Sequence, residues 1–151
     1  MANRPKAHKG AILHCMNSGV LDTDIFDSDD DRWRFLQILR YKNHETKIRR
    51  WNKAVEDEMN GHHMPWPESW DEHKPLVSII AYTLMDNHYH LVLEQIQEGG
   101  IAKFMQKLAN SYIGYKRAKD DIDHRIFKGT YQSVRVLNDN HLRKLLVYVL
   151  L

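Results

Sequence analysis

Tyr82-Thr83-Leu84-Met85-Asp86-Asn87-His88-Tyr89-His90-Leu91-Val92-Leu93-Glu94 decides how the rest of the chain is read. Leu76 to Leu84 is rich in Val, Ile and Tyr, Met85-Asp86-Asn87 is a turn, and the apolar run after it continues to about Gln95, so the pattern predicts a β-hairpin. Both strands carry apolar side chains on both faces, which predicts cover on two sides. Side chains alternate along a strand, so His88 and His90 point the same way with Cα atoms about 6.5 Å apart. Two imidazoles so placed can converge on one divalent ion and leave coordination positions open. The same pair also reads as two ordinary polar residues on a half-exposed strand. Glu94 shares their face, but its Cα lies about 13 Å from that of His90, a poor distance for a third ligand.

Outward from the hairpin, Ala11 to Asn17 reads as a first strand closed by the turn Asn17-Ser18-Gly19. Asp27-Ser28-Asp29-Asp30-Asp31 supplies a cap and negative charge to a helix whose apolar side is Trp33, Phe35, Leu36, Ile38 and Leu39. Tyr41 to Pro75 is expected to continue helically around Ile48 and Trp51 and to end in a loop with Pro65 and Pro67. His62, His63 and His73 in that segment have no fixed geometry for a metal. Trp66 and Trp70 either cover apolar surface or stack on a base. After Gly99-Gly100, Ile101 to Lys119 is an amphipathic helix with Tyr112 and Tyr115 on its core side and the lysines elsewhere. Tyr131 to Leu137 is a further strand, and Asn138-Asp139-Asn140 caps a last helix from about His141. On that helix Leu142, Leu146 and Val149 form the core stripe, and Tyr148 sits about 100° round from it, beside His141 and Lys144. A tyrosine there either snorkels its hydroxyl to water or stands where a nucleophile is needed.

At 151 residues the chain is expected to form one domain, residues 1–151. Cys15 is its single cysteine, which excludes an internal disulfide, predicts a buried thiol and points to the cytoplasm. No run approaches the roughly 20 apolar residues of a membrane span. The net charge of +2 is small, but the charged residues from Ile101 to Lys119 are all basic. Lys103, Lys107, Lys116 and Arg117, with Arg135 and Lys144 further on, are therefore candidates to meet a polyanion, against the alternative of a solvated basic face.

The ordered set Gly10-Ala11-Ile12-Leu13-His14, Ile25-Phe26 through Asp30 to Phe35-Leu36, Leu84 to Leu93, Met105 to Tyr115 and Gly129-Thr130-Tyr131-Gln132-Ser133 resembles the REP-associated tyrosine transposases. These belong to the single-tyrosine HUH transposases, named for His, a bulky hydrophobic residue and His. The resemblance implies a ferredoxin-like α+β domain with an antiparallel sheet, helices packed on it and the histidine pair on a central strand. It implies that His88 and His90 hold Mg²⁺ or Mn²⁺ against a scissile phosphate, and that Tyr148 attacks to form a 5′-phosphotyrosine and free a 3′-hydroxyl. The implied substrate is single-stranded DNA near hairpins, the implied assembly a monomer or homodimer.

Against that family, Asp86 stands where a proline is usual, and Tyr41 to Pro75 is a longer connection, expected to be an insertion. The family's polar amide, one helical turn after the tyrosine, falls just past Leu151, so the expectation is a C-terminally truncated chain. Three functions follow: a metal-dependent nickase and strand transferase, a degenerate protein that grips hairpin or single-stranded DNA without cutting, and a metal hydrolase working through water.

Overall fold

The computed structural model describes residues 7–56 and 64–150. Strands β1 (Ile12–Ser18), β2 (Val77–Met85), β3 (His88–Gln95) and β4 (Gln132–Arg135) form a 4-stranded antiparallel sheet in the order β2-β3-β1-β4. Helix α1 (Asp29–Tyr41) lies between β1 and β2 in sequence, the short α2 (Trp51–Glu56) follows it, and α3 (Gly100–Asp120) lies between β3 and β4. This is the β-α-β-β-α-β order of ferredoxin-like folds, extended by helix α4 (Asp139–Leu150).

Strand alternation sorts the sheet into two faces. Leu13, Cys15, Tyr89, Leu91 and Leu93 point to one side, where they join Phe35 and Ile38 of α1 and Phe104, Leu108 and Tyr112 of α3 in the main core. Phe35 meets Tyr112 edge-on at 5.3 Å, a geometry aromatic pairs favour. The other side carries Ala81 and Val92, which α4 covers with Leu145 and Val149, flanked by Leu142 and Leu146. The expected apolar stripe of the last helix is therefore present, widened by Leu145. The hairpin closes through Asp86–Asn87, and a bulge between Ile79 and Ala81 shifts the register of β2.

Local chemistry explains the element ends. The Ser28 side chain accepts the Asp31 N–H, and Asp29, Asp30 and Asp31 occupy the first turn of α1, as the acidic run predicts. The helix does not continue past Tyr41, because Asn43 turns the chain onto β2: its Oδ1 accepts the N–H groups of Leu76 and Val77 and its Nδ2 donates to the Val77 carbonyl. Gly99 adopts φ 68°, and a Cβ on Gly100 would lie 2.4 Å from the Leu76 carbonyl oxygen, which is why two glycines open α3. The last strand is shorter than the predicted Tyr131 to Leu137, since Gln132 to Arg135 alone pair with Leu13 to Met16 of the sheet.

The Tyr41 to Pro75 segment has a small aromatic core of its own. Tyr41 stacks on Trp51 at 5.2 Å, Trp66 on His73 at 4.2 Å, and Trp70 meets Trp66 edge-on at 5.0 Å. Trp66 and Trp70 therefore pack on protein rings, and the His73 Nε2–H donates to the Asn43 carbonyl at 2.6 Å. His62 and His63 lie outside the described residues. No helix among the described residues is long and apolar enough to cross a membrane.

Candidate active site

His88 and His90 stand at the start of β3, an interior strand, on the face that α4 covers. Their ring centroids are 5.1 Å apart and their planes nearly perpendicular, at 89°. His90 is opposite Met16 of β1 and Thr83 of β2, which brings His14 of β1 diagonally beside it. His14 Nε2 and His90 Nδ1 are 2.9 Å apart, so one N–H is shared between two neutral rings. Asn87 Oδ1, 2.7 Å from His88 Nδ1, accepts its N–H and leaves the His88 Nε2 lone pair unengaged.

The electrostatics favour the neutral forms of His14 and His90. Burial, then His90, then His141 push His14 down to about 4, and burial followed by His88 lowers His90. Uncharged imidazoles have the lone pairs that a metal ligand needs.

Tyr148 reaches the same place from α4. Its ring centroid is 5.7 Å from that of His90 and 6.4 Å from that of His14, both edge-on. The side chain is 68% exposed, off the apolar stripe as the helix geometry predicts, so its hydroxyl is open to a large substrate. The last carbonyls of a helix lack intrahelical donors. Here the Thr83 hydroxyl donates to the Val149 carbonyl, pinning the final turn of α4 to the strand beside His90. His88, His90 and Tyr148 line one open cleft of about 600 Å³ together with Arg32 of α1. Arg32 is ion-paired with Asp86 in the hairpin turn, directly before Asn87.

Three of these neighbours were not singled out by sequence. His14 sits in an apolar run that reads as plain strand, Thr83 in a hairpin strand, and Arg32 in an acidic helix start. The β1–β3 register sets His14 beside His90, the β2–β3 register does the same for Thr83, and the ion pair with Asp86 brings in Arg32.

The basic candidates do not form one patch. Lys103 is exposed on α3, Lys107 donates to the carbonyls of His44 and Thr46, Arg135 is half-buried on β4, and Lys144 is exposed on α4, across the sheet from α3. Lys116 corrects the expectation that the lysines of this helix avoid its core side and meet DNA. It is 2% exposed, and its ammonium is bonded to Asp27, Asp31 and Asp120. Removing such a cation from three carboxylates to bind a phosphate would leave buried charge uncompensated. Arg117 lines a second cleft on the α3 side.

Among the described residues no group of three or more His, Cys, Asp or Glu side chains is placed to hold a metal. The available donor set is the His88 and His90 pair. Rings sharing one ion through nitrogen have centroids about 3.2 Å from it, hence about 4.5–5.3 Å from each other at ligand angles of about 90–110°. The observed 5.1 Å falls in that interval, so the pair fits as two adjacent ligands of an ion completed by water or phosphate oxygens.

No protein-family model matches the sequence, and no curated protein does. A solved structure matches in fold. The fold is similar to that of a REP-associated tyrosine transposase, solved bound to a REP hairpin. The similarity spans 99% of this chain and 69% of that one, with a TM-score of 0.56 and 11% sequence identity. At that identity the likeness establishes the fold, and the chemistry rests on the side chains described above.

Proposed function

We propose that the chain is a metal-dependent transposase-type nickase that cuts and rejoins single-stranded DNA beside a hairpin through a 5′-phosphotyrosine on Tyr148. One observation carries the reading: a tyrosine from α4 and a two-imidazole donor set from β3 face one open cleft, with Tyr148 5.7 Å from His90, ring to ring. The hairpin bound by the transposase of similar fold supports the substrate class.

His88 and His90 would hold Mg²⁺ or Mn²⁺ through Nε2. Such an ion supplies polarisation of the phosphoryl oxygens and offsets the charge that develops as the phosphate is attacked. For Nε2 of His90 to be a ligand, its Nδ1–H must donate to His14 Nε2, and neutral His14 is suited to accept it. Asn87 fixes His88 in the matching tautomer. Arg32, on the rim, offers guanidinium donors to a non-bridging phosphate oxygen while Asp86 holds its orientation.

In the transfer, a Tyr148 oxygen–phosphorus bond forms as the phosphorus–3′-oxygen bond breaks. The phenol proton passes to solvent, and the departing 3′-oxygen takes one up. The phosphate stays on the 5′-oxygen of the downstream strand, bonded to tyrosine, and the reverse attack by a 3′-hydroxyl rejoins the strand without an external energy source.

The test is a labelled hairpin oligonucleotide with single-stranded flanks, incubated with the chain and Mn²⁺. The expected result is an adduct that survives denaturation, is abolished by Tyr148→Phe, and falls at least about 100-fold with His90→Ala. An adduct unchanged in Tyr148→Phe contradicts the reading, and cleavage without any adduct points to hydrolysis through water instead. A second reading, a DNA-binding protein that no longer cuts, is favoured by the two-imidazole donor set among the described residues. Salt-dependent binding of the same oligonucleotide with no nicking is its signature.

A further inference from the structure

Helix α1 is acidic where it begins and basic where it ends. The exposed Asp22, Asp24, Asp29 and Asp30 lead into it at the hairpin turn, where the Ile25 and Phe26 N–H groups both reach the Asp86 carbonyl. After it come Lys42, half-buried, and the exposed Lys47, Arg49, Arg50 and Lys53, with Glu45 as the one carboxylate in this run. Lys107 ties the run to α3, since its ammonium donates to the carbonyls of His44 at 2.7 Å and Thr46 at 3.2 Å. Lys103 lies one helical turn before it on the same face. Glu45 is turned to Lys74, 3.7 Å away. Among the described residues none of these cations has a salt bridge.

The cluster is held together against its own repulsion. Burial, then Lys47, lowers the pKa of Lys42, and burial, then Lys42 and Lys103, lowers that of Lys107. Arg50 holds φ 52°, a left-handed conformation that glycine or asparagine enters more easily, so a cation is kept there against a backbone cost. Trp51, stacked on Tyr41 at 5.2 Å and packed on the main core, fixes the start of α2 beside Arg49 and Arg50. Cations gathered this way suit a partner with closely spaced negative charge, and duplex DNA carries one phosphate per about 1.7 Å of its axis. A single strand fits less well. Tyr41, Trp51 and Trp66 stack on one another and on His73, so among the described residues no ring here is left for an unpaired base.

We infer that this basic end of the helix layer holds a second DNA, a duplex separate from the hairpin, through its phosphates and without reading its sequence. Helix α1 is about 20 Å long. The way along it from the basic run to the Tyr148 cleft ends on the exposed Asp29 and Asp30, which repel a stiff duplex from continuing there. Hairpin and duplex therefore take opposite ends of α1, and the chain can stay on double-stranded DNA while a single strand is cut. The inference goes beyond the proposed function and survives its failure, because it uses neither Tyr148 nor the histidine pair.

The experiment uses the full chain, a blunt fluorescent duplex of arbitrary sequence, and the flanked hairpin oligonucleotide carrying a second dye. The duplex is expected to protect Lys47, Lys53 and Lys103 of the unsubstituted protein from acetylation, read by peptide mass, and to leave Lys144 on α4 reactive. One complex is expected to carry both dyes. Arg49→Gln with Arg50→Gly and Lys53→Gln is expected to reduce the steepness of log duplex affinity against log salt by about 2.7, the value for three duplex phosphate contacts, with hairpin binding unchanged. Protection of Lys144 in place of the basic run overturns the inference. So does a duplex that displaces the hairpin, which would make the run a seat for the hairpin's own stem, and so does an unchanged salt slope in a variant whose urea denaturation matches the wild type. The footprint needs no substitution, so a misfolded variant still leaves a deciding measurement. Adducts at Tyr148 without protection of the run leave the proposed function standing and remove this inference; protection without adducts does the reverse.

Discussion

In the proposed metal site, His14 is the neighbour that orients the histidine pair. A metal-bound imidazole is oriented by what its second nitrogen does, and His90 has its second nitrogen 2.9 Å from His14. His14 is 7% exposed, so its contact with His90 is largely shielded from solvent. His14→Ala is therefore expected to lower Mn²⁺ affinity by about 10–100-fold, and His14→Gln, whose amide oxygen can accept the same N–H, to recover part of it. Isothermal titration with Mn²⁺ checks this. Equal affinity in all three proteins would mean that His14 is packing and nothing more.

At the scale of elements, two ties set the geometry. One is the Thr83 hydroxyl on the Val149 carbonyl, which decides where the last turn of α4, and so Tyr148, comes to rest. Thr83→Val keeps the shape and deletes the donor, at about 1 kcal/mol of stability. Adduct formation is expected to fall by more than that loss explains, with recovery in Thr83→Ser, because a misplaced nucleophile is costlier to the reaction than to the fold. Adduct rates matching the wild type in Thr83→Val would remove the tie from the account.

The second tie joins the start of α1 to the end of α3. Asp31, fully buried, accepts from the Asp27 N–H, Tyr115, Lys116 and Lys119. Burial alone would raise its pKa, but the bonds from Lys119, the Asp27 N–H, Tyr115 and Lys116 outweigh it and hold the carboxyl well below the usual carboxylate range. Burial lowers and Asp120, Asp27 and Asp31 more strongly raise Lys116. A depressed acid contributes its full stability above its unfolded pKa, about 3.9, and loses it as pH falls through the folded value; a raised lysine does so below about 10.4 and loses it as pH rises. The cluster is thus at full strength between about pH 4 and 10. Urea denaturation is expected to show no contribution from it to pH dependence in that window and a decline below it. Asp31→Asn should cost about 3–5 kcal/mol at neutral pH and flatten the acid limb. An acid limb of unchanged steepness in the variant would contradict the assignment.

For the molecule as a whole, the sequence was legible where local periodicity carries the information. The hairpin, the capped acidic helix, the α3 face and the position of Tyr148 off its stripe all follow from spacings of two or of three and four residues. It was not legible where two distant segments must meet. His14 reads as strand until the β1–β3 register sets it beside His90, and Arg32 reads as helix start until Asp86 of the hairpin turn pairs with it. Lys116 misled for the same reason: charge along α3 looks like a solvated surface until Asp27 and Asp31 of another segment enclose it. The end of α1 was misplaced because Asn43 bonds to residues 33 and 34 positions away.

The central proposal is that Tyr148, delivered by α4 to the histidine pair of β3, supplies the oxygen that attacks phosphorus and accepts the phosphoryl group. The measurement that bears on it most directly is the mass of the tryptic peptides after reaction with a flanked hairpin and Mn²⁺. The account predicts a nucleotide phosphate on the peptide containing Tyr148, absent when the metal is chelated. DNA cleaved with every tyrosine unmodified, or the phosphate found on another tyrosine, would contradict it.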